Sequence, residues 1–276
     1  MSLLEAAGLV VLGFVVGGYG TVIGAGGGFI LVPLLLFIYP HYQPEEVTSI
    51  SLAVVFANAT SGSAAYARQR RIDYRTGLLF AVASAPGVIA GALAVGYLPK
   101  RAFSTLFGLM LLGLAAVSLR GPSMTIRAPL RGPGVLMRTM TDLEGRQYRY
   151  AFRIWQGVVL SMAVGFISSL FGIGGGVVHV PAMIILLHIP VQYAVATSHF
   201  VLAFMSGGGS GVHVLQGTLG GEQLLKAAAL GLGAIPGAQV GALLAHRIRG
   251  RTVLLLLSVA IVALGIRLLL SGLFDV

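Results

Sequence analysis

Two stretches of the sequence match at six of ten positions: GAGGGFILVP at residues 24–33 and GIGGGVVHVP at residues 172–181. Each contains three consecutive glycines, and a proline follows at the same distance. Consecutive glycines disfavour a continuous α-helix, because glycine loses the most backbone entropy when it is fixed in one. Each stretch lies within an apolar run, so the pattern predicts a helix that breaks at the glycines and then restarts.

The composition excludes most classes of soluble protein. Of the 276 residues, 57% are apolar and only 9% are charged, whereas soluble domains carry roughly 25% charged residues. A soluble enzyme, a disordered protein and a fibrous protein are therefore not expected, and long apolar runs indicate an integral membrane protein. The absence of cysteine excludes disulfides, thiolate metal sites and cysteine nucleophiles. The first ten residues contain no Lys or Arg, so we interpret them as part of the mature protein and not as a secretory signal.

The net charge of +10 does not indicate nucleic-acid binding, since the basic residues lie in short breaks between apolar runs. The longest break, 120–153, contains seven arginines together with glycines and prolines, which is typical of a linker. It divides the chain into an N-terminal membrane repeat (1–119), a basic cytoplasmic linker (120–152) and a C-terminal membrane repeat (153–276).

Further similarities extend the repeat beyond the glycine motifs. TSI at 48–50 matches TSH at 197–199, and PGVIAG at 86–91 matches PGAQVG at 236–241. We therefore predict an all-α polytopic membrane protein of two repeated helical halves, each with a glycine-broken helix pair, and eight to ten membrane segments in total.

The relative orientation of the halves depends on how often the broken unit crosses the membrane. Its 37 residues, 3–39, would form a straight helix of about 55 Å, longer than the hydrocarbon core of about 30 Å. A helix followed by a shorter half-helix fits best. With two crossings the repeats are inverted and 14 basic residues share one side with the linker; with one crossing they are parallel and 11 do so. The positive-inside rule favours the inverted arrangement.

The glycine clusters are the leading candidates for a substrate site. A helix broken inside a bilayer leaves N–H groups that protein or a hydrated cavity must satisfy, and half-helix N-termini suit an anionic ligand. Purely structural elbows are the alternative. The candidate glycines are Gly24, Gly26, Gly27, Gly28, Gly172, Gly174, Gly175 and Gly176. Glycines four residues apart, as at Gly13/Gly17, Gly87/Gly91 and Gly237/Gly241, indicate close helix packing instead.

Several polar residues within the apolar runs are candidates for contact with the same substrate. Thr48, Ser49, Thr197 and Ser198 lie at predicted helix starts, where they would cap helices or bind anion oxygens. Further candidates are Asn58, Ser210, His199 and His213, and His179 is considered on the same footing as His213. A metal site built from histidines is not expected, nor is any cofactor.

The acidic residues fall in breaks or near the termini: Glu5, Glu45, Glu46, Asp73, Asp142, Glu144, Glu222 and Asp275. A carboxylate relay for protons or a sodium site is therefore not expected, and the absence of buried negative charge suits an anion pathway.

The duplicated G-x-G-G-G-x-x-x-x-P motif, each copy followed by a T-S pair, resembles the TauE/SafE family of sulfite-exporter-like membrane proteins. The resemblance covers 3–272 apart from the central linker. It implies a transporter of small sulfur-containing anions, such as sulfite, sulfoacetate or other organosulfonates, usually in the export direction.

Export of an anion is driven by the interior-negative potential, at about 2.3 kcal/mol per charge and 100 mV, without a coupled ion. The alternatives are proton-coupled uptake with a histidine as the carrier, a channel-like pore, an intramembrane hydrolase using Ser210 and His213, and a structural subunit. The expected partners are the small anion and the lipid bilayer of a bacterial inner membrane, with no nucleic acid. A homodimer is left open.

Overall fold

The structure is a computed structural model that describes residues 2–119, 132–141, 145, 147–247 and 250–274. Within these ranges it contains ten α-helices, a short 3₁₀ turn at Val95–Tyr97 and one antiparallel strand pair. The helices are α1 Leu3–Val22, α2 Gly28–Ile38, α3 Pro44–Arg68, α4 Tyr74–Ala94, α5 Lys100–Leu119, α6 Ile154–Phe171, α7 Gly176–Ile185, α8 Val191–Leu215, α9 Gly221–Arg247 and α10 Gly250–Phe274; the strands are β1 Val135–Thr141 and β2 Gln147–Arg153.

The helices confirm the predicted mostly helical, polytopic membrane architecture. Among the described residues, five segments are long and apolar enough to cross a membrane: Leu3–Val22, Pro44–Arg68, Tyr74–Tyr97, Ile154–Phe171 and Gly221–Ala245. Large apolar side chains such as Leu243 and Val82 remain exposed on the helices. Such surfaces suit contact with lipid chains and not with water.

Both glycine clusters break a helix as predicted. The chain leaves α1 at Val22 and restarts in α2, and it leaves α6 at Phe171 and restarts in α7. The restarted helices have 11 and 10 residues, which corresponds to about 15–16 Å, half of the hydrocarbon thickness. They are the expected half-helices.

The main helix contacts are preserved when the two halves are exchanged. Helix α1 packs along α9 and α6 packs along α4; α3 contacts α9 and α4 contacts α8. The half-helix α2 lies on α3 and α7 lies on α8, while α3 pairs with α8 and α5 with α10. A duplicated fold would give this exchange of partners. The duplication and its inverted orientation stay predictions.

Small residues allow the closest of these helix contacts. A Cβ on Gly13 would overlap the Leu230 carbonyl of α9, and one on Gly87 would overlap the Met162 carbonyl of α6. The four-residue glycine spacing in the sequence therefore marks backbone-to-backbone packing, as predicted.

A β-hairpin occupies the second part of the segment predicted to be a linker. Strand β1 pairs antiparallel with β2, with Val135 opposite Arg153, and α6 begins directly afterwards at Ile154. The sequence analysis did not predict these strands. Residues 120–131, together with Asp142, Glu144 and Asp275, lie outside the described residues, as do residues 248–249 of the last basic break.

Candidate functional site

The two glycine breaks contact each other at the centre of the molecule. A Cβ on Gly28, the first residue of α2, would lie 2.7 Å from the carbonyl oxygen of Gly172 in the other break. Reciprocally, a Cβ on Gly176, the first residue of α7, would overlap the carbonyl oxygen of Gly24. Both contacts require glycine, because a Cβ at either position would meet the facing carbonyl oxygen.

Neither half-helix has a side-chain cap. The N-cap residues Gly27 and Gly175 have φ values of 84° and 90°, in the left-handed region that favours glycine, and no side chain caps either helix. Within the described part of the chain, the first-turn N–H groups that find no acceptor are those of Gly28, Phe29, Gly176 and Val177. Free N–H groups and the positive ends of two helix dipoles therefore lie side by side, an arrangement suited to a small anion.

Two apolar side chains close the space between the breaks. A Cβ on Gly26 would overlap Leu202 and lie 2.9 Å from Cγ1 of Val55, and a Cβ on Gly174 would overlap the same Val55 methyl group. Both side chains are fully buried. The centre is thus shut off from solvent, and entry of a ligand requires Val55 and Leu202 to move.

A buried polar network supports the first break. The hydroxyl of Thr21 donates to Oδ1 of Asn58 at 3.1 Å and lies 3.4 Å from Nε2 of His199. Asn58 donates in turn to the Gly17 carbonyl at 2.9 Å. Gly62 leaves room for the imidazole, since a Cβ there would lie 2.5 Å from Nε2 of His199. The structure therefore brings the predicted Asn58 and His199 together beside the predicted glycines.

The two T-S pairs do not cap helices, contrary to one reading of the sequence. The N-cap position of α3 is Gln43 and that of α8 is Pro190, which places Thr48 and Thr197 inside the helices. The pairs are also out of register: Thr48 lies against Gly172, but the residue against Gly24 is Val195. Helix α2 is one residue longer than α7. The residues that the sequence similarity pairs are therefore not the residues that make equivalent contacts.

The hydroxyls of these pairs have different surroundings. Ser49 donates to the Glu46 carbonyl at 2.8 Å, and Thr197 accepts from the backbone N–H of Asp73 at 3.0 Å. The Ser198 hydroxyl is buried and has no partner among the described residues.

Three other candidates lie away from the contact between the breaks. His213 bonds to Thr218 at the end of α8, about 21 Å along the helix from His199, and Ser210 lies about 16 Å from it. His179 points toward the α4–α6 contact, with Nε2 3.5 Å from the Ser161 hydroxyl. The breaks thus gather the glycines, Thr48, Asn58 and His199, but not Ser210 or His213.

One buried carboxylate was not predicted from the sequence. Asp73, at the start of α4, is fully buried and receives hydrogen bonds from Arg138, Tyr150 and Thr76. Burial disfavours its charge, but the bonds from Arg138, Thr76 and Tyr150 outweigh burial and hold the pKa of Asp73 below its ordinary value. Its position in a sequence break was predicted correctly; its burial was not, because the β-hairpin that covers it was not predicted.

Comparison with known proteins agrees with this architecture. The family model described as "Sulfite exporter TauE/SafE" matches residues 9–268. The chain is 33% identical to the "probable membrane transporter protein YunE" of Bacillus subtilis over 274 residues, covering 97% of this chain and 98% of the relative. It is 29% identical to the "probable membrane transporter protein MJ0441" of Methanocaldococcus jannaschii, covering 73% of this chain and 69% of the relative.

No solved structure matches the chain. The family match and the relatives indicate a multi-pass transporter of the cell membrane, and they point away from an enzyme. The chain belongs to the TauE/SafE sulfite exporter family.

Proposed function

We propose that the protein exports small sulfur-containing anions, such as sulfite, sulfoacetate or another organosulfonate, and binds them between the N-termini of α2 and α7. The observation that carries the proposal is the pair of uncapped half-helix N-termini in contact at the buried centre. Free N–H donors and the positive ends of two helix dipoles stabilise a small oxyanion in a site of low dielectric constant.

The side chains that cover the centre suggest how an anion would reach it. Val55 and Leu202 both lie against the two breaks, so alternate movement of the halves about this contact would open the site to one side and then the other. An interior-negative membrane potential drives the efflux of an anion, which needs no second ion.

The test is flux of labelled sulfite, sulfoacetate and taurine in proteoliposomes, with the potential clamped at either sign and no pH gradient. We expect flux of at least one of these anions to follow the potential. Gly26→Ala combined with Gly174→Ala should abolish it, since the added methyl groups overlap Leu202 and Val55.

The matched control is Gly8→Ala combined with Gly113→Ala. A Cβ at either of these helical positions would meet no atom within 4 Å, so flux should stay at the wild-type level. Val55→Ala is a second variant that leaves the backbone unstrained and should raise the rate. Absence of flux for all three anions with folded wild-type protein, or full flux in the Gly26/Gly174 variant, would contradict the proposal.

Proton-coupled uptake is the second candidate, because His199 is buried beside the first break and its Nδ1 has no partner among the described residues. In that case flux would require an imposed pH gradient. His199→Gln would remove the gradient dependence while keeping a polar side chain of similar reach.

A further inference from the structure

The two breaks have different surroundings, although their own backbones match. At the first, a Cβ on Gly20 would overlap the backbone of Gly27, so α1 and the α2 N-cap are packed backbone to backbone. At the second, the corresponding position in α6 is Ser168, whose Cβ lies 3.2 Å from the Cβ position of Gly175. A side chain with a hydrogen-bond donor thus replaces bare backbone beside the α7 N-terminus.

The polar groups beside the two breaks also differ in how they are satisfied. Gly62 faces Thr21 and His199, whereas Gly209 faces Ser169 and Leu52. The Thr21 hydroxyl is bonded within the protein to Asn58. The hydroxyls of Ser168 and Ser169 are fully buried and find no partner among the residues that the structure describes.

A buried hydroxyl without a partner is costly, at about 1–3 kcal/mol, unless a ligand satisfies it. Ser168 lies at the end of α6, beside the uncapped N-terminus of α7, whose first N–H groups are free. The other neighbours of the Gly175 position are Met205, with Sδ at 3.0 Å, and Val164, with Cγ1 at 3.1 Å. Methionine is flexible and fills irregular space, so it can leave without disturbing the backbone.

Building on the proposed function, we infer that the anion binds asymmetrically, with its oxyanion group at the N-terminus of α7, where Ser168 donates a hydrogen bond to it and the Met205 side chain fills the space when the site is empty. The N-terminus of α2 has a structural role and does not bind the anion. The Thr21–Asn58–His199 network holds it in place. One anion therefore occupies the site at a time.

The first test is the concentration dependence of flux. Ser168→Ala should raise KM at least tenfold with little change in the maximum rate, because a hydrogen bond to a charged group is lost. Ser206→Ala is the matched control, since its buried hydroxyl already donates to the Leu202 carbonyl of its own helix, and its KM should stay unchanged. Thr21→Val should also leave KM unchanged. A raised KM in Thr21→Val together with an unchanged KM in Ser168→Ala would overturn the inference.

The second test does not depend on transport. The chain contains no cysteine, so Ser168→Cys and Thr21→Cys each introduce a single thiol in an otherwise unreactive protein. We expect sulfoacetate to slow labelling of the Ser168→Cys thiol by a small maleimide at least fivefold and to leave the Thr21→Cys thiol unaffected. Equal protection of both thiols, or protection of the Thr21→Cys thiol alone, would overturn the asymmetry.

The two proposals fail in different ways. Wild-type protein that transports none of the sulfur anions contradicts the proposed function, and labelling protection by sulfate then tests the asymmetric oxyanion site separately. Wild-type transport with unchanged KM in Ser168→Ala contradicts only the position of the anion.

Discussion

Arg138 donates hydrogen bonds from Nε and Nη2 to both carboxylate oxygens of Asp73, at N···O distances of 2.7–3.0 Å. Asp73 begins α4, and Arg138 lies in β1, so this ion pair attaches the β-hairpin to the membrane helices. The backbone N–H of Asp73 also bonds to Thr197 in α8. The hairpin is therefore linked through one buried residue to the helix that carries His199.

Loss of Arg138 should detach the hairpin. Arg138→Ala leaves a buried carboxylate without its cation, which we expect to cost about 3 kcal/mol, the lower end of the range for breaking a buried ion pair. Arg149→Ala is the matched control, because Arg149 lies in the same hairpin and is exposed. Thermal unfolding in detergent and the rate of trypsin cleavage in the hairpin measure the difference. Equal stability of the two variants would show that the ion pair does not hold the hairpin.

The same pair predicts a dependence on pH. Because the folded-state pKa of Asp73 is lowered, its stabilisation is fully present above the unfolded-state pKa of about 3.9 and is lost as the pH falls through the folded value. Trp155, the single tryptophan of the chain, directly follows the hairpin and reports its docking. Its fluorescence should be constant from about pH 7 to pH 5 and change below about pH 4. Asp73→Asn should remove that transition, and its persistence in the variant would assign it to another group.

Glycines within the helices should differ in how well they tolerate substitution by alanine. Gly13→Ala and Gly87→Ala each push a methyl group into a neighbouring carbonyl, and we expect a loss of about 1–3 kcal/mol. Gly8→Ala and Gly113→Ala meet open space and should stabilise their helices by up to about 1 kcal/mol. Melting temperatures in detergent separate the two pairs. Similar values for all four would mean that these helix contacts do not limit stability.

Asn58 should be more important for stability than the serine hydroxyls nearby. Asn58→Ala removes the hydrogen bond to the buried Gly17 carbonyl and the one from the Thr21 hydroxyl, which should cost about 1–3 kcal/mol. Ser206→Ala removes only a bond to its own helix and should cost less. Chemical or thermal unfolding of the two variants compares them directly, and a larger loss in Ser206→Ala would contradict the assignment of Asn58 as the link between α1 and α3.

The broken helices could be predicted from sequence because their cause is local. Three consecutive glycines oppose helix propagation wherever they stand, and the positive φ of Gly27 and Gly175 needs the residue type that the sequence supplies there. The membrane class follows equally directly from the apolar composition. The positions of Thr48 and Thr197 could not be predicted from the sequence. The matching Thr-Ser dipeptides do not reveal that α2 is one residue longer than α7.

By itself, the sequence determined that the chain enters a membrane, that it breaks two helices at glycines, and that small residues set the closest helix contacts. Only the tertiary structure decided that the two breaks touch, that Val55 and Leu202 lie against both of them, and that Ser168 and Ser169 have no partner among the described residues. These relations join residues more than 100 positions apart, such as Gly28 and Gly172. Local propensity determines where a helix stops; the packing of distant helices determines which groups are left to bind a ligand.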